Sequence, residues 1–145
     1  MSILVVVDMQ EFFEAACHPD VIIGVTQEIV LAKQKKFPII LLEYEGCGKS
    51  HDGFSSLLRN YPWKARVKKG DDDGSQEIVR AIRRRGFNDR KLRLCGVNAD
   101  CCVFATVEGL LKRLDTKIEV VKQACGWEYD FDWRQYLRHP NLKLV

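Results

Sequence analysis

The stretch KLRLCGVNADCCVFATVEGLLKRL, residues 91–114, decides the fold of this chain. Its first part, 91–95, has the short apolar pattern of a strand, and Gly96 marks a tight turn. From Val103 onward, apolar residues recur at the i, i+4, i+7, i+8 and i+11 positions of one helical face. A strand that leads at once into a helix is one half of a βαβ unit. The stretch therefore predicts parallel strands joined by crossover helices.

The same alternation extends along the rest of the chain. Five further runs have the composition of strands: residues 3–7, 38–42, 65–68, 118–121 and 142–145. Three further segments have helical features: residues 20–36, 75–85 and 132–138. Continuously apolar strands such as the first need a sheet that is covered on both faces. We therefore predict an α/β protein, a single Rossmann-like three-layer domain over residues 1–145, with a mostly parallel sheet of about six strands and helices on both faces.

The composition of the 145 residues fits one globular domain, with 46% hydrophobic and 30% charged residues. Basic residues exceed acidic ones by 23 to 20, and a net charge of +3 is too small to imply a nucleic-acid or membrane partner. The start of the chain lacks a signal-peptide pattern, and no apolar run approaches about 18 residues. The six cysteines include an adjacent pair and show no disulfide framework. We expect a cytoplasmic protein with reduced thiols.

Chemically reactive side chains follow three of the predicted strands. Asp8 closes the first strand, Lys69 closes the third, and Cys102 lies where the fourth passes into its helix. Alternation along the third strand places Lys69, rather than Lys68, on the same face as Ala65. The carboxyl ends of parallel strands open on one rim, so residues distant in sequence can converge there. The predicted constellation is an acid, an amine and a thiol.

Each of these residues also has a purely structural interpretation. Cys101 and Cys102 would then be small buried apolar residues. Asp8 would be a helix cap or a strand-end acceptor, and Lys69 a solvated surface charge. The functional interpretation rests on the first turn of a helix, where free amides, the helix dipole and a nearby ammonium lower the pKa of a thiol. It predicts that Cys102 is a thiolate and that Asp8 exchanges the proton.

Three motifs occur in a fixed order along the chain. Residues 7–10, VDMQ, precede Phe13; residues 69–74, KGDDDG, follow the third predicted strand; and residues 96–103, GVNADCCV, precede Thr106. In this order they resemble the opening strand with its catalytic aspartate, the lysine segment and the nucleophile turn of the isochorismatase-like cysteine hydrolases. That family includes nicotinamidases and N-carbamoyl-amine amidohydrolases. The resemblance extends over most of the chain.

The resemblance implies a catalytic triad of Asp8, Lys69 and Cys102. It also implies a cis peptide bond between Val97 and Asn98, which would direct the backbone amides of Asn98 and Cys102 at a developing oxyanion. The activity it implies is cofactor-independent hydrolysis of a C–N bond in a small amide or carbamoyl compound, through an acyl-enzyme on Cys102. Members of this family commonly form dimers or tetramers, so a homo-oligomer is expected, with a small-molecule substrate and no nucleic acid.

Two aromatic residues, Phe13 and Tyr44, are candidates for the substrate pocket. The chain departs from the family at Ser75, where an aromatic residue is usual. It also departs in residues 43–51, EYEGCGKSH, which lack the Asp/His arrangement that binds metal in nicotinamidases. We therefore predict no metal site, with His51 a loop residue. The chain is shorter than typical members, which predicts trimmed loops and a more open pocket.

Two other functions are compatible with the sequence. The chain could be a catalytically idle member of the family that binds a partner through the aromatic residues of segment 127–133. Cys101 and Cys102 could instead form a redox sensor, although adjacent side chains on a helix diverge. The basic run RRR, residues 83–85, is interpreted as a solvated helix end rather than a nucleic-acid site. Thiol reactivity and ammonia release separate the hydrolase from the idle module.

Overall fold

The computed structural model describes residues 1–88 and 91–145, which form a six-stranded sheet with helices on both faces. The strands are β1 (Ile3–Val7), β2 (Ile39–Tyr44), β3 (Lys64–Lys69), β4 (Lys91–Val97), β5 (Lys117–Gly126) and β6 (Leu142–Leu144). Their order is β3-β2-β1-β4-β5-β6, and each neighbouring pair is parallel. The predicted α/β fold is confirmed, and the described sheet is wholly rather than mostly parallel.

Four α-helices connect these strands: α1 (Pro19–Gln34), α2 (Asp52–Leu58), α3 (Ser75–Arg85) and α4 (Cys102–Arg113). The first helix begins with a proline, whose missing amide costs nothing at that position. Before it, the His18 side chain accepts a hydrogen bond from the Asp20 amide at 3.3 Å. The third helix ends at Gly86, whose φ of +64° suits glycine. The helices α1, α3 and α4 agree with the sequence prediction to within a few residues.

Two segments differ from the prediction. The helix α2 was not predicted, because only two of its seven residues are buried, too few to produce a helical repeat. Residues 132–138 form a single 3₁₀ turn, Trp133–Gln135, instead of the predicted helix. The Asp132 side chain accepts a hydrogen bond from the Arg134 amide at 2.8 Å, and the chain becomes extended again at Tyr136, which ends the turn.

The sheet separates two apolar layers. On one side, Ile3, Val5 and Val7 of β1 pack with residues of α3 and α4. On the other side, Leu4 and Val6 pack with residues of α1 and α2. Every residue of β1 is buried, as a continuously apolar run predicts for a strand covered on both faces. Among the described helices, none is both long and apolar enough to cross a membrane.

The strand order creates a crevice at the carboxyl edge of the sheet. Since β1 lies between β2 and β4, the connections after β1 and β4 leave toward opposite faces and open a gap between them. Gly96 lets the two strands meet closely there. Its φ is +120°, and a side chain at this position would collide with the backbone of Val7. The crevice is therefore the place where residues following β1, β3 and β4 meet.

Candidate active site

Asp8 follows β1 directly and begins the turn into the crevice. Its φ of +52° lies in the left-handed region, which aspartate tolerates better than most residues, and its amide donates to the Leu42 carbonyl at 2.9 Å. The residue is 1% exposed. Asp8 Oδ2 lies 3.1 Å from the Lys69 ammonium, yet neither carboxylate oxygen has an aligned hydrogen bond within the described structure. A buried acid is thus left with free acceptor sites.

Lys69 is the last residue of β3, and its side chain is fully buried. Alternation along the strand turns Lys68 outward and Lys69 inward, as predicted. The ammonium donates to the backbone carbonyls of Asp71 at 2.9 Å and Asp72 at 3.4 Å. It also lies 3.9 Å from the centroid of the Tyr44 ring. These contacts, with the neighbouring carboxylate, compensate the burial of a positive charge.

Cys102 is the first residue of α4 and is 5% exposed. Its side chain interacts with the Asp8 carboxylate and with the charge of Lys69. The thiol donates its aligned hydrogen bond elsewhere, to Asp72 Oδ1, at the long distance of 3.7 Å. The structure thus brings together all three residues of the sequence-derived triad at one point of the rim.

The turn before α4 has the backbone geometry that the family resemblance implies. The peptide bond between Val97 and Asn98 is cis. The Asn98 carbonyl accepts hydrogen bonds from the amides of Cys101 and Val103, each at 3.1 Å. The amides of Asn98 and Cys102 themselves have no backbone acceptor in residues 1–88 and 91–145. Within those residues they are therefore two donors without a backbone partner, in the turn that leads into α4.

The loop between β3 and α3, which supplies partners to Lys69, is tied to α4 by Thr106. Thr106 Oγ1 accepts a hydrogen bond from the Gly74 amide at 3.0 Å and donates to the Asp72 carbonyl at 3.3 Å. Gly109, further along α4, leaves room for the loop, because a Cβ there would come within 2.5 Å of both carboxylate oxygens of Asp73. This docking holds the loop against the nucleophile.

Asp72 is a candidate that the sequence did not single out. Its Oδ1 accepts a hydrogen bond from the Tyr44 hydroxyl at 3.2 Å in addition to the one from the Cys102 thiol. Its Oδ2 accepts a hydrogen bond from the Cys101 thiol at 3.6 Å. The residue is exposed, so its carboxylate stands between the thiols and solvent. Its place in a run of three aspartates carried no signal, because nothing in the sequence separates one of them from the others.

Burial dominates the proton affinities in the crevice. It raises the pKa of the Cys102 thiol, Asp8 raises it further, and Lys69 opposes them only in part. Burial also raises the pKa of Asp8 above its ordinary value of 3.8, again against the effect of Lys69. The prediction of a resting thiolate is therefore wrong. The raised pKa favours a neutral thiol beside Asp8, because desolvation outweighs the effect of the ammonium.

The two predicted pocket residues lie together beside the buried amine. Tyr44 covers Lys69, and the ring of Phe13 lies next to that of Tyr44, with centroids 6.3 Å apart. Ser75, which replaces the usual aromatic residue of the family, is buried, and its hydroxyl accepts a hydrogen bond from Arg113 Nε at 2.9 Å. This position therefore joins α3 to α4 and supplies no aromatic wall.

His51 lies in the loop before α2, as predicted. Its Nε2 is 2.8 Å from the Ala16 carbonyl oxygen, and its Nδ1 is 3.7 Å from Glu11 Oε1. In the same region the buried side chain of Gln10 holds the end of β2, with its Nε2 donating to the Tyr44 carbonyl at 3.0 Å. These contacts connect the loops that follow β1 and β2.

The aromatic residues near the C-terminus pack on one another and on α4. The rings of Phe131 and Trp133 meet edge to face with centroids 4.9 Å apart. The ring of Tyr136 meets Phe104 of α4 in the same way at 5.2 Å. Tyr129, by contrast, is 78% exposed. Phe131 and Trp133 therefore pack against the apolar layer that includes α4, whereas Trp127 is 38% exposed.

Several solved structures share this fold. N-carbamoylsarcosine amidase from Thermoplasma acidophilum is 19% identical with a TM-score of 0.78, and the match covers 99% of this chain and 94% of that chain. A nicotinamidase from Staphylococcus aureus is 16% identical with a TM-score of 0.73, covering 86% and 82%. The MAR1 ribonuclease from Caenorhabditis elegans is 23% identical with a TM-score of 0.74, covering 87% and 65%. No family model and no curated protein sequence matches the chain.

These likenesses establish the fold, since identities of 16% to 23% are too low to carry a reaction from one protein to another. At the level of the fold they confirm the resemblance that the three sequence motifs indicate. The presence of a ribonuclease beside an amidase and a nicotinamidase shows that proteins of this fold differ in activity. The activity of this chain has to be argued from its own site.

Proposed function

We propose that this chain is an isochorismatase-like cysteine hydrolase that cleaves a C–N bond of a small amide or carbamoyl compound through an acyl-enzyme on Cys102. The observation that supports this most strongly is the meeting of Asp8, Lys69 and Cys102 from separate elements of the fold. A structural core gains little from this combination, because buried polar groups without aligned partners cost stability. A reaction that moves a proton between sulfur and carboxylate needs it.

The first step moves one proton and forms one bond. As the Cys102 sulfur attacks the carbonyl carbon, Asp8 accepts the thiol proton, so a free thiolate is never required. Lys69, 3.1 Å from Asp8 Oδ2, favours the ionised carboxylate that this step needs. Negative charge then develops on the carbonyl oxygen, and the unpartnered amides of Asn98 and Cys102 would donate hydrogen bonds to it.

The remaining steps return the site to its starting state. The protonated Asp8 gives its proton to the departing amine as the C–N bond breaks, which leaves a thioester on Cys102. Water then attacks the thioester carbonyl while Asp8 accepts a proton from it. That proton passes to the sulfur as the C–S bond breaks. The products are ammonia or an amine together with a carboxylic acid from an amide or a carbamic acid from a carbamoyl compound, and the proposed cycle uses no cofactor.

An ammonia-release screen over small amides and ureido compounds tests the proposal. Turnover by the wild-type protein should fall by about 10³-fold or more in the Cys102→Ala variant, since the covalent route is lost. Mass spectrometry of the wild-type protein mixed with a turned-over compound should show an acyl adduct on the peptide that contains Cys102. The adjacent, exposed thiol provides the matched control, and Cys101→Ser should retain turnover. Persistent activity in Cys102→Ala would contradict the proposal.

One observation favours the alternative of a catalytically idle module. The nucleophile is only 5% exposed, and the Asp72 carboxylate lies against its sulfur. If the chain is such an idle module, no compound in the screen releases ammonia and no adduct forms on Cys102. Assembly into a dimer or tetramer and a cytoplasmic location stay predictions.

A further inference from the structure

The charged groups of the crevice differ in what they can still bind. The Lys69 ammonium donates hydrogen bonds to the carbonyls of Asp71 and Asp72 and lies 3.1 Å from Asp8 Oδ2, and the Tyr44 ring covers it. This ammonium is therefore enclosed by protein groups, and its side chain is fully buried. Asp72 differs, because its side chain is exposed at the rim.

The Asp72 carboxylate has neutral neighbours. It accepts hydrogen bonds from the Tyr44 hydroxyl and from the thiols of Cys101 and Cys102. Within the part of the chain that the structure describes, no basic side chain forms an ion pair with it. Among the described residues, the Asp72 carboxylate thus stands beside the nucleophile without an ion-pair partner of its own.

Two other groups in the crevice are consistent with this negative character. Burial raises the pKa of Cys101, and the charges of Asp72 and Asp100 raise it further. Asp8 Oδ1 is a buried acceptor without a hydrogen-bond partner in the described structure. An incoming ligand therefore meets negative charge at the rim and a free acceptor inside. Such a field attracts cations and repels anions.

From these contacts we infer that the compound hydrolysed at this site is a cationic amide. Its ammonium, amidinium or guanidinium group would pair with Asp72 while its carbonyl carbon meets the sulfur of Cys102. The inference rests on the proposed hydrolase function for the reaction and on Asp72 for the selectivity. The cationic group takes no part in making or breaking bonds, so the proton balance of the hydrolysis is unchanged. Asp72 is then a specificity-determining residue.

A labelling experiment tests the charge preference without requiring turnover. The probes are 2-aminoethyl, propyl and 2-sulfonatoethyl methanethiosulfonate, which carry a cation, no charge and an anion. Each forms a mixed disulfide with Cys102 and releases methanesulfinate, while the thiol proton passes to Asp8 or to solvent. The rate at Cys102 is followed by mass spectrometry in a Cys101→Ser background. EDTA is present, because donor atoms of Asp72 and both thiols lie within 4.8 Å of one another and could hold a trace metal ion.

Each labelling rate is divided by the rate of the same reagent with N-acetylcysteine amide, which removes intrinsic differences in reactivity. The normalised order should be cation, neutral, anion, with about tenfold or more between the extremes. Asp72→Asn should bring that ratio close to one. Asp71→Asn is the matched control, since it removes the same charge from the same loop and should keep the wild-type order. An order led by the neutral or anionic reagent, or an unchanged ratio in Asp72→Asn, would overturn the inference.

A second series separates this inference from the proposed function. β-Alaninamide, butyramide and succinamate are amides of similar length with a cationic, neutral and anionic end. Fastest ammonia release from β-alaninamide, with the preference lost in Asp72→Asn, supports both proposals. Faster release from butyramide or succinamate overturns the cationic preference and leaves the hydrolase intact. Cation-selective labelling without an acyl adduct or ammonia release from any amide keeps the preference and removes the hydrolase.

Discussion

Two buried carboxylates in this protein have opposite surroundings. Glu28 of α1 is 9% exposed, and the guanidinium of Arg93 from β4 binds both of its oxygens, with Nε to Oε2 at 2.7 Å and Nη2 to Oε1 at 2.9 Å. Asp8 is 1% exposed, faces the Lys69 ammonium at 3.1 Å, and has no aligned hydrogen bond in the described structure. The same chemical group is satisfied in one place and left open in the other.

This difference separates a structural acid from a chemical one. At the first site the hydrogen bond between the two partners has a larger effect than burial, and this bond from Arg93 to Glu28 raises the pKa of the arginine. Both oxygens of this carboxylate accept hydrogen bonds from Arg93, so neither is left open to another group. At the second site burial has a larger effect than the charge of Lys69, and it raises the pKa of Asp8. An acid with raised proton affinity and free oxygens can accept and return a proton.

Replacing the open acid gives the largest expected effect. Asp8→Asn preserves the shape of the side chain but cannot accept the thiol proton, so kcat/KM should fall by about 10²–10⁴-fold. Steady-state kinetics on a compound from the ammonia-release screen measure this, and circular dichroism checks that the variant is folded. A folded variant that keeps kcat/KM within a few-fold of wild type would show that the open carboxylate is not the proton acceptor.

Replacing the satisfied acid should affect stability instead. Glu28→Gln keeps the size of the side chain but removes the charge that compensates Arg93, and the free energy of unfolding should fall by about 1–3 kcal/mol. Urea denaturation measures this loss. The control is Glu108→Gln on the exposed face of α4, where the ion pair with Lys112 spans 4.0 Å and should be worth no more than about 0.5 kcal/mol. Equal losses in the two variants would mean that the bidentate pair has no special role.

The dependence of activity on pH reports the open acid directly. The proposed first step needs an ionised Asp8, and burial raises the pKa of this group above 3.8. On the acid side kcat/KM should therefore fall by about tenfold per pH unit, starting at a pH above 3.8. Burial likewise raises the pKa of Cys102, so the absorbance of a thiolate, taken as wild type minus Cys102→Ala, should be absent at pH 9.0. A thiolate signal at neutral pH would restore the sequence-based expectation.

The raised pKa of Asp8 also makes the stability of the fold depend on pH, with a definite sign. A folded-state pKa above the unfolded value means that the folded state binds the Asp8 proton more tightly. The resulting stabilisation is present below pH 3.8 and is lost as the pH rises through the folded value. In Asp8→Asn this part of the pH dependence of unfolding should disappear.

The sequence predicted those features that depend on local pattern. The run 3–7 became β1 without a change of bounds, the apolar repeat after Cys102 became α4, and alternation on β3 singled out Lys69. Strand ends alone placed the triad on one rim, because parallel strands share a direction. Each of these inferences needs only neighbouring residues and the rules of parallel sheets.

The features that the sequence missed depend on tertiary contacts. Asp72 looks the same as its two neighbours until Thr106 fixes the loop and the carboxylate meets the thiol. The charge state of Cys102 depends on how much water is excluded, which helix position does not reveal. The chain around Glu28 gave no sign of its pairing, because Arg93 lies on β4, far away in sequence.

The smallest expected effect comes from replacing a second neighbour of the cation, a group that contacts Arg93 or Lys69 in addition to the buried acid. Behind Arg93 stands a second acid, with Nη1 3.4 Å from Glu119 Oε1, whereas behind Lys69 stands the ring of Tyr44 at 3.9 Å. Tyr44→Phe keeps that ring and removes only the hydrogen bond to Asp72, so kcat/KM should change by about two- to tenfold. Tyr44→Leu removes the ring as well and should cost more. Steady-state kinetics of both variants compare them. If Tyr44→Phe lowers kcat/KM as much as Tyr44→Leu, the hydroxyl of Tyr44, and not its ring, is the group that supports Lys69.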